Sequence, residues 1–153
     1  MVNIDLILKG YDEAFLRLRT QRDDAKISGD SKSLYIPLVE TLGWADVIEE
    51  FFDERFGKDW MLKLPNSKSD YEQVILGFRY ARNVVHHRWA VAVELDSKIP
   101  LFQDWCWKLT LESTRPQPKN RAAYESKLAG RALRHTFKDL HKIYGSARKY
   151  LVD

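Results

Sequence analysis

The sequence predicts an all-α protein, an up-and-down helical bundle of about four long helices with an irregular or extended arm between the third and the fourth. Four segments repeat apolar residues at steps of three and four, the period of an amphipathic helix, whereas one short segment alternates at period two. The chain of 153 residues, 44% hydrophobic and 31% charged, is long enough for one core but short for two. We therefore expect a single helical domain, residues 1–153.

The first two helices are predicted from their apolar stripes. Helix one runs from about residue 3 to about residue 27, with apolar positions Ile4, Ile7, Leu8, Tyr11, Phe15 and Leu18. Helix two begins just after Pro37, which suits a first helical turn, and stops near Gly57. Its stripe consists of Leu38, Leu42, Ala45, Ile48, Phe51 and Phe52.

The third and fourth helices have clearer start signals. Ser69 and Glu72 have the spacing of a capping box, and a helical pattern extends from Asp70 to about Leu95. The fourth helix follows Gly130 and carries the clearest stripe in the chain, at Leu133, Phe137, Leu140, Tyr144, Ala147 and Leu151.

The arm between these helices covers residues 96–121. Trp105, Trp107, Leu109 and Leu111 alternate there with other residues, and Pro100, Pro116 and Pro118 bound the segment. A connection of this length is often functional, as a lid or a dimer contact. The alternative, which we favour, is that the two tryptophans close one end of the core.

The composition excludes several classes of protein. The N-terminal segment lacks a basic region followed by an apolar run, and no stretch approaches the roughly 20 apolar residues that span a bilayer, so we expect a cytoplasmic protein without membrane contact. Cys106 is the only cysteine, which excludes an intrachain disulfide and a cysteine-based zinc cluster. No glycine-rich phosphate-binding loop accompanies a strand, and we predict neither a cofactor nor a metal.

Polar side chains cluster on one face of helix three. On a helical wheel, Arg79, Arg82, Asn83, His86 and His87 fall within an arc of roughly 140°, opposite the apolar residues. The spacing of four residues between Arg82 and His86, and between Asn83 and His87, predicts one compact surface patch. Arg88 projects toward the apolar side, and the pattern does not explain it.

These residue types suit the cleavage of RNA without a metal. Histidine can take the proton from a ribose 2′-OH or give one to the departing 5′-oxygen. Arginine can stabilise the charge that accumulates on the phosphate, and asparagine can hold the imidazole tautomer or bond the phosphate. DNA lacks the internal 2′-OH that this chemistry uses as its nucleophile.

The stretch RNVVHH, Arg82 to His87, resembles the R-N-x-x-x-H form of the R-x(4–6)-H motif of the HEPN superfamily. The resemblance implies a small helical bundle that acts as a metal-independent endoribonuclease, in a toxin–antitoxin, abortive-infection or CRISPR-associated role. It also implies Arg82, Asn83 and His87 as catalytic residues. In that family the motif lies at a dimer interface, so a C2 homodimer with helix three at its interface is implied.

The same resemblance leaves alternatives open. Some HEPN proteins are non-catalytic modules that bind RNA, a nucleotide or a protein, and an unrelated helical adaptor would also display such a surface. One subgroup carries a tyrosine two residues after the histidine, which a nucleotidyltransferase antitoxin modifies, whereas this chain has Trp89. The resemblance does not extend to control by that route, and any antitoxin or regulator is expected to be a separate protein.

Charge is distributed unevenly along the chain. Residues 121–150 carry eight Lys/Arg against two acids, in a chain whose net charge is +3. Arg131 and Arg134 are candidates, with Arg79 and His86, for contacts to RNA phosphates. The alternative, which we favour for most of the basic residues of helix four, is pairing with the acids of helix two. Glu49 and Asp53 of that group have a spacing that suits a divalent ion, but a solvated face is the preferred interpretation.

Overall fold

Five α-helices make up most of the part of the chain described by the computed structural model, residues 2–65, 68–89, 91–96 and 103–152, with the backbone alone at 68 and 69. The helices are α1 (Ile4–Ser28), α2 (Tyr35–Phe56), α3 (Lys68–Arg88), α4 (Pro118–Lys127) and α5 (Leu133–Ala147). A π-helical turn, Arg148–Val152, extends α5, and 3₁₀ turns occupy Ser31–Leu34 and Trp60–Lys63. Strands β1 (Val93–Asp96) and β2 (Asp104–Trp107) form one small antiparallel sheet. The predicted all-α fold class is confirmed.

Four of the helices form an up-and-down bundle. Arg17 of α1 pairs with Glu40 of α2, and the Trp44 ring of α2 packs against Gly10 of α1, so the two helices are antiparallel. Contacts between positions 49 and 79 and between 39 and 86 give the same relation for α2 and α3. The fourth predicted helix corresponds to α5, which runs antiparallel to α1.

The two tryptophans of the arm are part of the core. Trp105 and Trp107 are both buried, and the Trp107 ring packs against Phe78 and Phe137, with centroids 5.8 and 6.0 Å apart. The indole N–H of Trp107 donates to Thr136 Oγ1 at 2.8 Å, so the polar atom that accompanies the buried ring is satisfied. The interpretation that we favoured, in which the tryptophans close the core, is confirmed.

The end of the third helix was predicted wrongly. We expected it to extend to about Leu95, but α3 ends at Arg88, Trp89 adopts a positive φ of 48°, and the chain continues as β1. The backbone of β1 forms hydrogen bonds to β2 instead of continuing the hydrogen bonds of the helix, and Val93 lies opposite Trp107. The early end also accounts for Arg88, which lies exposed in the last turn.

Helix α4 was missed, and its start falls inside the predicted arm. It buries only Ala123 and Tyr124, too few residues to produce a visible stripe. It packs across α3 at Gly77, where an added Cβ would come within 2.9 Å of Leu128 Cδ1. A helix with only two buried positions leaves little periodic signal.

The predicted start of the second helix differs in a smaller way. Helix α2 begins at Tyr35, so Pro37 lies within its first turn instead of before it, a position where proline's missing N–H costs no hydrogen bond. Ser69 of the predicted capping box lies outside the described side chains. Among the described helices, none has the length and apolar character needed to cross a membrane.

Candidate functional site

The polar face of α3 packs against the acidic residues of α2. Arg79 Nε donates to Glu49 Oε2 at 2.7 Å, and its Nη2 lies 3.7 Å from Asp53 Oδ2. One turn further along, Arg82 Nη1 lies 3.0 Å from Asp46 Oδ1 and 3.8 Å from Glu49 Oε2. Two arginines and three carboxylates therefore form a continuous ion-pair network between the two helices.

Glu49 lies at the centre of this network and is only 2% exposed. Its Oε1 accepts a hydrogen bond of 3.2 Å from the Tyr144 hydroxyl of α5. Burial raises the pKa of the Glu49 carboxyl, while Arg79 and Arg82 act in the opposite direction. Burial and the neighbouring Glu49 also raise the pKa of Tyr144 well above its usual value, so the phenol remains a donor. The carboxyl group thus ties α2, α3 and α5 together.

This network corrects two expectations. We favoured pairing of the acids of helix two with the basic residues of helix four, but Asp46, Glu49 and Asp53 pair with α3. Glu49 is also not part of a solvated face. Among the described residues, no group of three or more His, Cys, Asp or Glu side chains is arranged to hold a metal ion.

Asn83 turns to the opposite flank of α3. Its amide Nδ2 donates to Gln117 Oε1 at 2.8 Å, just before the start of α4. Gln117 Oε1 also lies 3.4 Å from the amide of Asn120. The arm therefore determines the orientation of this motif residue.

The two histidines differ in their surroundings. His86 is half-buried, with its Nε2 3.4 Å from the carbonyl oxygen of Val39 in α2. His87 is exposed, and no hydrogen-bond or ion-pair partner for it occurs among the described residues. Of Arg82, Asn83 and His87, His87 is therefore the one whose side chain is open to solvent.

Trp89 follows directly at the end of α3. Its side chain is 79% exposed, and its φ of 48° lies in the left-handed region that bulky residues rarely adopt. This backbone conformation is strained for a tryptophan, and because the ring is mostly exposed, packing of the side chain does not offset the strain. Strained positions of this kind are often found at functional sites. It places a large aromatic surface two residues from His87.

The basic residues of α5 lie elsewhere. Arg131 pairs with Asp139 at 3.3 Å, and Arg134 pairs with Asp104 of β2. Arg131 also lines a cavity with Asp70 and Val74, in the first turns of α3. Val74 and His87 are thirteen residues apart, about 20 Å along a helix. The structure thus brings Arg79, Arg82, Asn83, His86 and His87 together on one stretch of α3, and it does not bring Arg131 to them.

Several residues of this site were not predicted from the sequence. The acids Asp46, Glu49 and Asp53 recur at steps of three and four on α2, which matches the step of three between Arg79 and Arg82. Matching the spacings on neighbouring helices would have indicated the network. Gln117 and Tyr144 carry no local signal, because their roles depend on contacts across 34 and 95 residues of sequence.

Comparison with known proteins adds no family assignment: no protein-family model, curated protein or solved structure matches the chain.

Proposed function

We propose that the chain is a metal-independent endoribonuclease of HEPN type, which acts on RNA through attack of a 2′-OH on the adjacent phosphodiester. The observation that carries the proposal is the position of His87, exposed in the last turn of α3 and one turn beyond Asn83. A solvent-open imidazole can reach the ribose of a polymer, take the 2′-OH proton, and return a proton to the leaving 5′-oxygen.

Arg82 supplies a positive charge on the flank of α3 that packs against α2. Its Nη1 is held by Asp46 and Glu49, whereas its Nε and Nη2 have no hydrogen-bond partner among the described residues. A guanidinium anchored at one nitrogen keeps its orientation while the others remain available to a phosphate oxygen. Asn83, oriented by Gln117, keeps its carbonyl oxygen for the imidazole or for a ribose hydroxyl.

Exposed apolar residues at the end of the bundle that carries His87 support the homodimer that we propose. Ile36 in the first turn of α2 is 76% exposed and Trp89 is 79% exposed, and contacts between α2 and α3 bring the two helix ends together. An exposed apolar surface beside the motif supports a homodimer with α3 at its interface. As a toxin or phage-defence effector, such an enzyme would require restraint by a separate antitoxin or regulator.

The test is cleavage of a mixed RNA substrate in EDTA by wild type, His87→Ala and Arg82→Lys, with the product ends analysed. We expect 2′,3′-cyclic phosphate or 3′-phosphate ends and a loss of about 100-fold or more in both variants. His86→Ala is the matched control, because this neighbouring histidine lies outside the motif, and we expect it to retain kcat. Wild-type protein that is inert, or active only with a divalent metal, contradicts the proposal.

A second candidate is a non-catalytic HEPN module that binds RNA, a nucleotide or a protein. The observation that favours it is the ion pairing of Arg82, which also suits a structural role. This candidate predicts that wild type and His87→Ala are equally inert toward RNA and bind their ligand with equal affinity. The cleavage assay, followed by a binding assay on the same variants, separates the two functions.

A further inference from the structure

A cavity of about 450 Å³ opens between α3, the segment after β2 and the start of α4. Its wall includes Tyr80 of α3, the loop residues Ser113, Thr114 and Arg115, and Gln117 and Arg121 around the first turn of α4. The volume falls within the range of roughly 300–1,000 Å³ that is typical of small-molecule sites. This end of the predicted arm therefore frames a concave surface.

The cavity is connected to the polar face of α3 by one hydrogen bond. Gln117, in its wall, accepts from Asn83 at 2.8 Å, and His87 lies one helical turn beyond Asn83, about 6 Å along the axis. A chain of nucleotides that places one ribose at His87 can therefore place a neighbouring nucleotide in the cavity.

The groups that line the cavity suit an anion with several acceptor oxygens. Arg115 is exposed and its guanidinium has no ion-pair partner among the described residues, and the Thr114 hydroxyl is likewise without a hydrogen bond there. Arg121 is neutralised by Glu125 at 3.0 Å and Glu112 at 3.6 Å. Arg115 is thus the cation of this wall that is free to bind a ligand.

The backbone around Arg115 is held in place before any ligand binds. The amide N–H of Arg115 donates to Ser113 Oγ at 3.2 Å, and Pro116 and Pro118 restrict φ on its C-terminal side. The Tyr80 hydroxyl donates to the Leu111 carbonyl oxygen at 2.6 Å, which fixes the loop to α3. A preorganised loop loses less entropy when it binds.

We infer that this cavity is the subsite for a nucleotide adjacent to the scissile bond of RNA, with Arg115 bound to its phosphate. The inference rests on the proposed function. It assigns the C-terminal part of the arm a role in holding the substrate, while the N-terminal part, with its tryptophans, belongs to the core.

The first test measures binding of a fluorescein-labelled single-stranded RNA in the His87→Ala background by fluorescence anisotropy across a salt series. We expect Arg115→Ala to weaken binding about fivefold and to reduce the slope of log K against log salt by about 0.7, the value for one lost phosphate contact on a single strand. Arg148→Ala is the matched control, since this arginine is paired with Asp5, and we expect less than about a twofold change.

The second test uses the active enzyme, in which Arg115→Ala should raise KM about fivefold with kcat unchanged, the pattern of a lost binding contact. If wild type cleaves RNA but the Arg115 variant keeps its affinity, salt slope and KM, the subsite is wrong and the proposed function stands. If RNA binding depends on Arg115 but wild type does not cleave RNA, Arg115 binds RNA, but the nuclease is wrong and so is a subsite beside a scissile bond. A chain that binds no RNA overturns both.

Discussion

Glu49 is the residue on which the polar face of α3 depends, because it accepts hydrogen bonds from Arg79 on one oxygen and from Tyr144 on the other. A buried carboxyl between two guanidiniums cannot be removed without leaving donors unpaired. Asp46 pairs with Arg82, but its side chain is 42% exposed and solvent can replace it. The two carboxylates should therefore differ greatly in their contribution to the free energy of unfolding.

We predict that Glu49→Gln lowers the free energy of unfolding by about 3 kcal/mol, since a neutral amide removes the buried negative charge that pairs with Arg79 and Arg82. Asp46→Asn is the matched control and should cost less than about 1 kcal/mol. Urea denaturation of both variants measures the difference. Equal costs in the two variants would mean that the network is held by surface charge alone.

At the scale of the elements, the close crossing of α3 and α4 depends on Gly77. A Cβ at this position would lie 2.9 Å from Leu128 Cδ1 and 3.2 Å from the Ala123 carbonyl oxygen. We predict that Gly77→Ala destabilises the fold by about 1–3 kcal/mol through overpacking, measured by urea denaturation.

Gly43 provides the matched control for that substitution. It lies within α2, and an added Cβ would meet nothing within 4 Å. Gly43→Ala should therefore stabilise the protein by about 0.5–1 kcal/mol through helix propensity. If both variants change stability in the same direction, the crossing is looser than the structure indicates.

The pairing of α1 with α2 should depend on pH. Arg17 forms two hydrogen bonds to Glu40, which hold the pKa of that carboxyl below its ordinary value. A carboxyl whose pKa is lower in the folded state stabilises the fold above its unfolded pKa, and this contribution is lost as the pH falls through the folded value. We predict that Glu40→Gln is less stable than wild type near neutral pH and that the difference disappears in strong acid.

The measurement is urea denaturation at a series of pH values. Glu54→Gln is the control, because Glu54 is exposed on the same helix without an ion-pair partner among the described residues. That variant should follow wild type at every pH. A difference for Glu40→Gln that persists in strong acid would show that the effect comes from packing instead of ionisation.

At the scale of the whole molecule, some of the exposed apolar residues lie at the two ends of the bundle. Trp89 and Ile36 lie at the end that carries His87, and Leu6 lies in the first turn of α1, at the opposite end. If the dimer forms through the end of α3, only the first pair should affect association.

We predict that wild type is a dimer by sedimentation equilibrium and that Trp89→Asn raises the dissociation constant about tenfold or more. Asparagine tolerates the positive φ at this position, so the backbone should remain intact. Leu6→Asn is the control and should leave the dissociation constant unchanged. A monomeric wild type, or equal effects of the two variants, would rule out this interface.

Much of the fold could be predicted because the signal is repeated along each helix. The stripes of the first, second and last helices place four or more residues each in the core, and Leu18, Leu42 and Phe137 are all buried as expected. The tryptophans of the arm were also interpreted correctly. The position of Arg82, Asn83 and His87 away from the buried side of α3 was predictable for the same reason, since helical geometry alone sets which residues share the apolar stripe.

The local pattern along the chain therefore indicates four of the five helices and the apolar stripe of each. The end of α3, the presence of α4, and the pairing of Arg82 with Asp46 and of Asn83 with Gln117 follow from tertiary packing instead. A periodic pattern arises from neighbouring residues of one helix, whereas a partner is chosen by packing between segments far apart in the chain. The same arginine on the same helical face would be free or paired depending on which helix packs beside it.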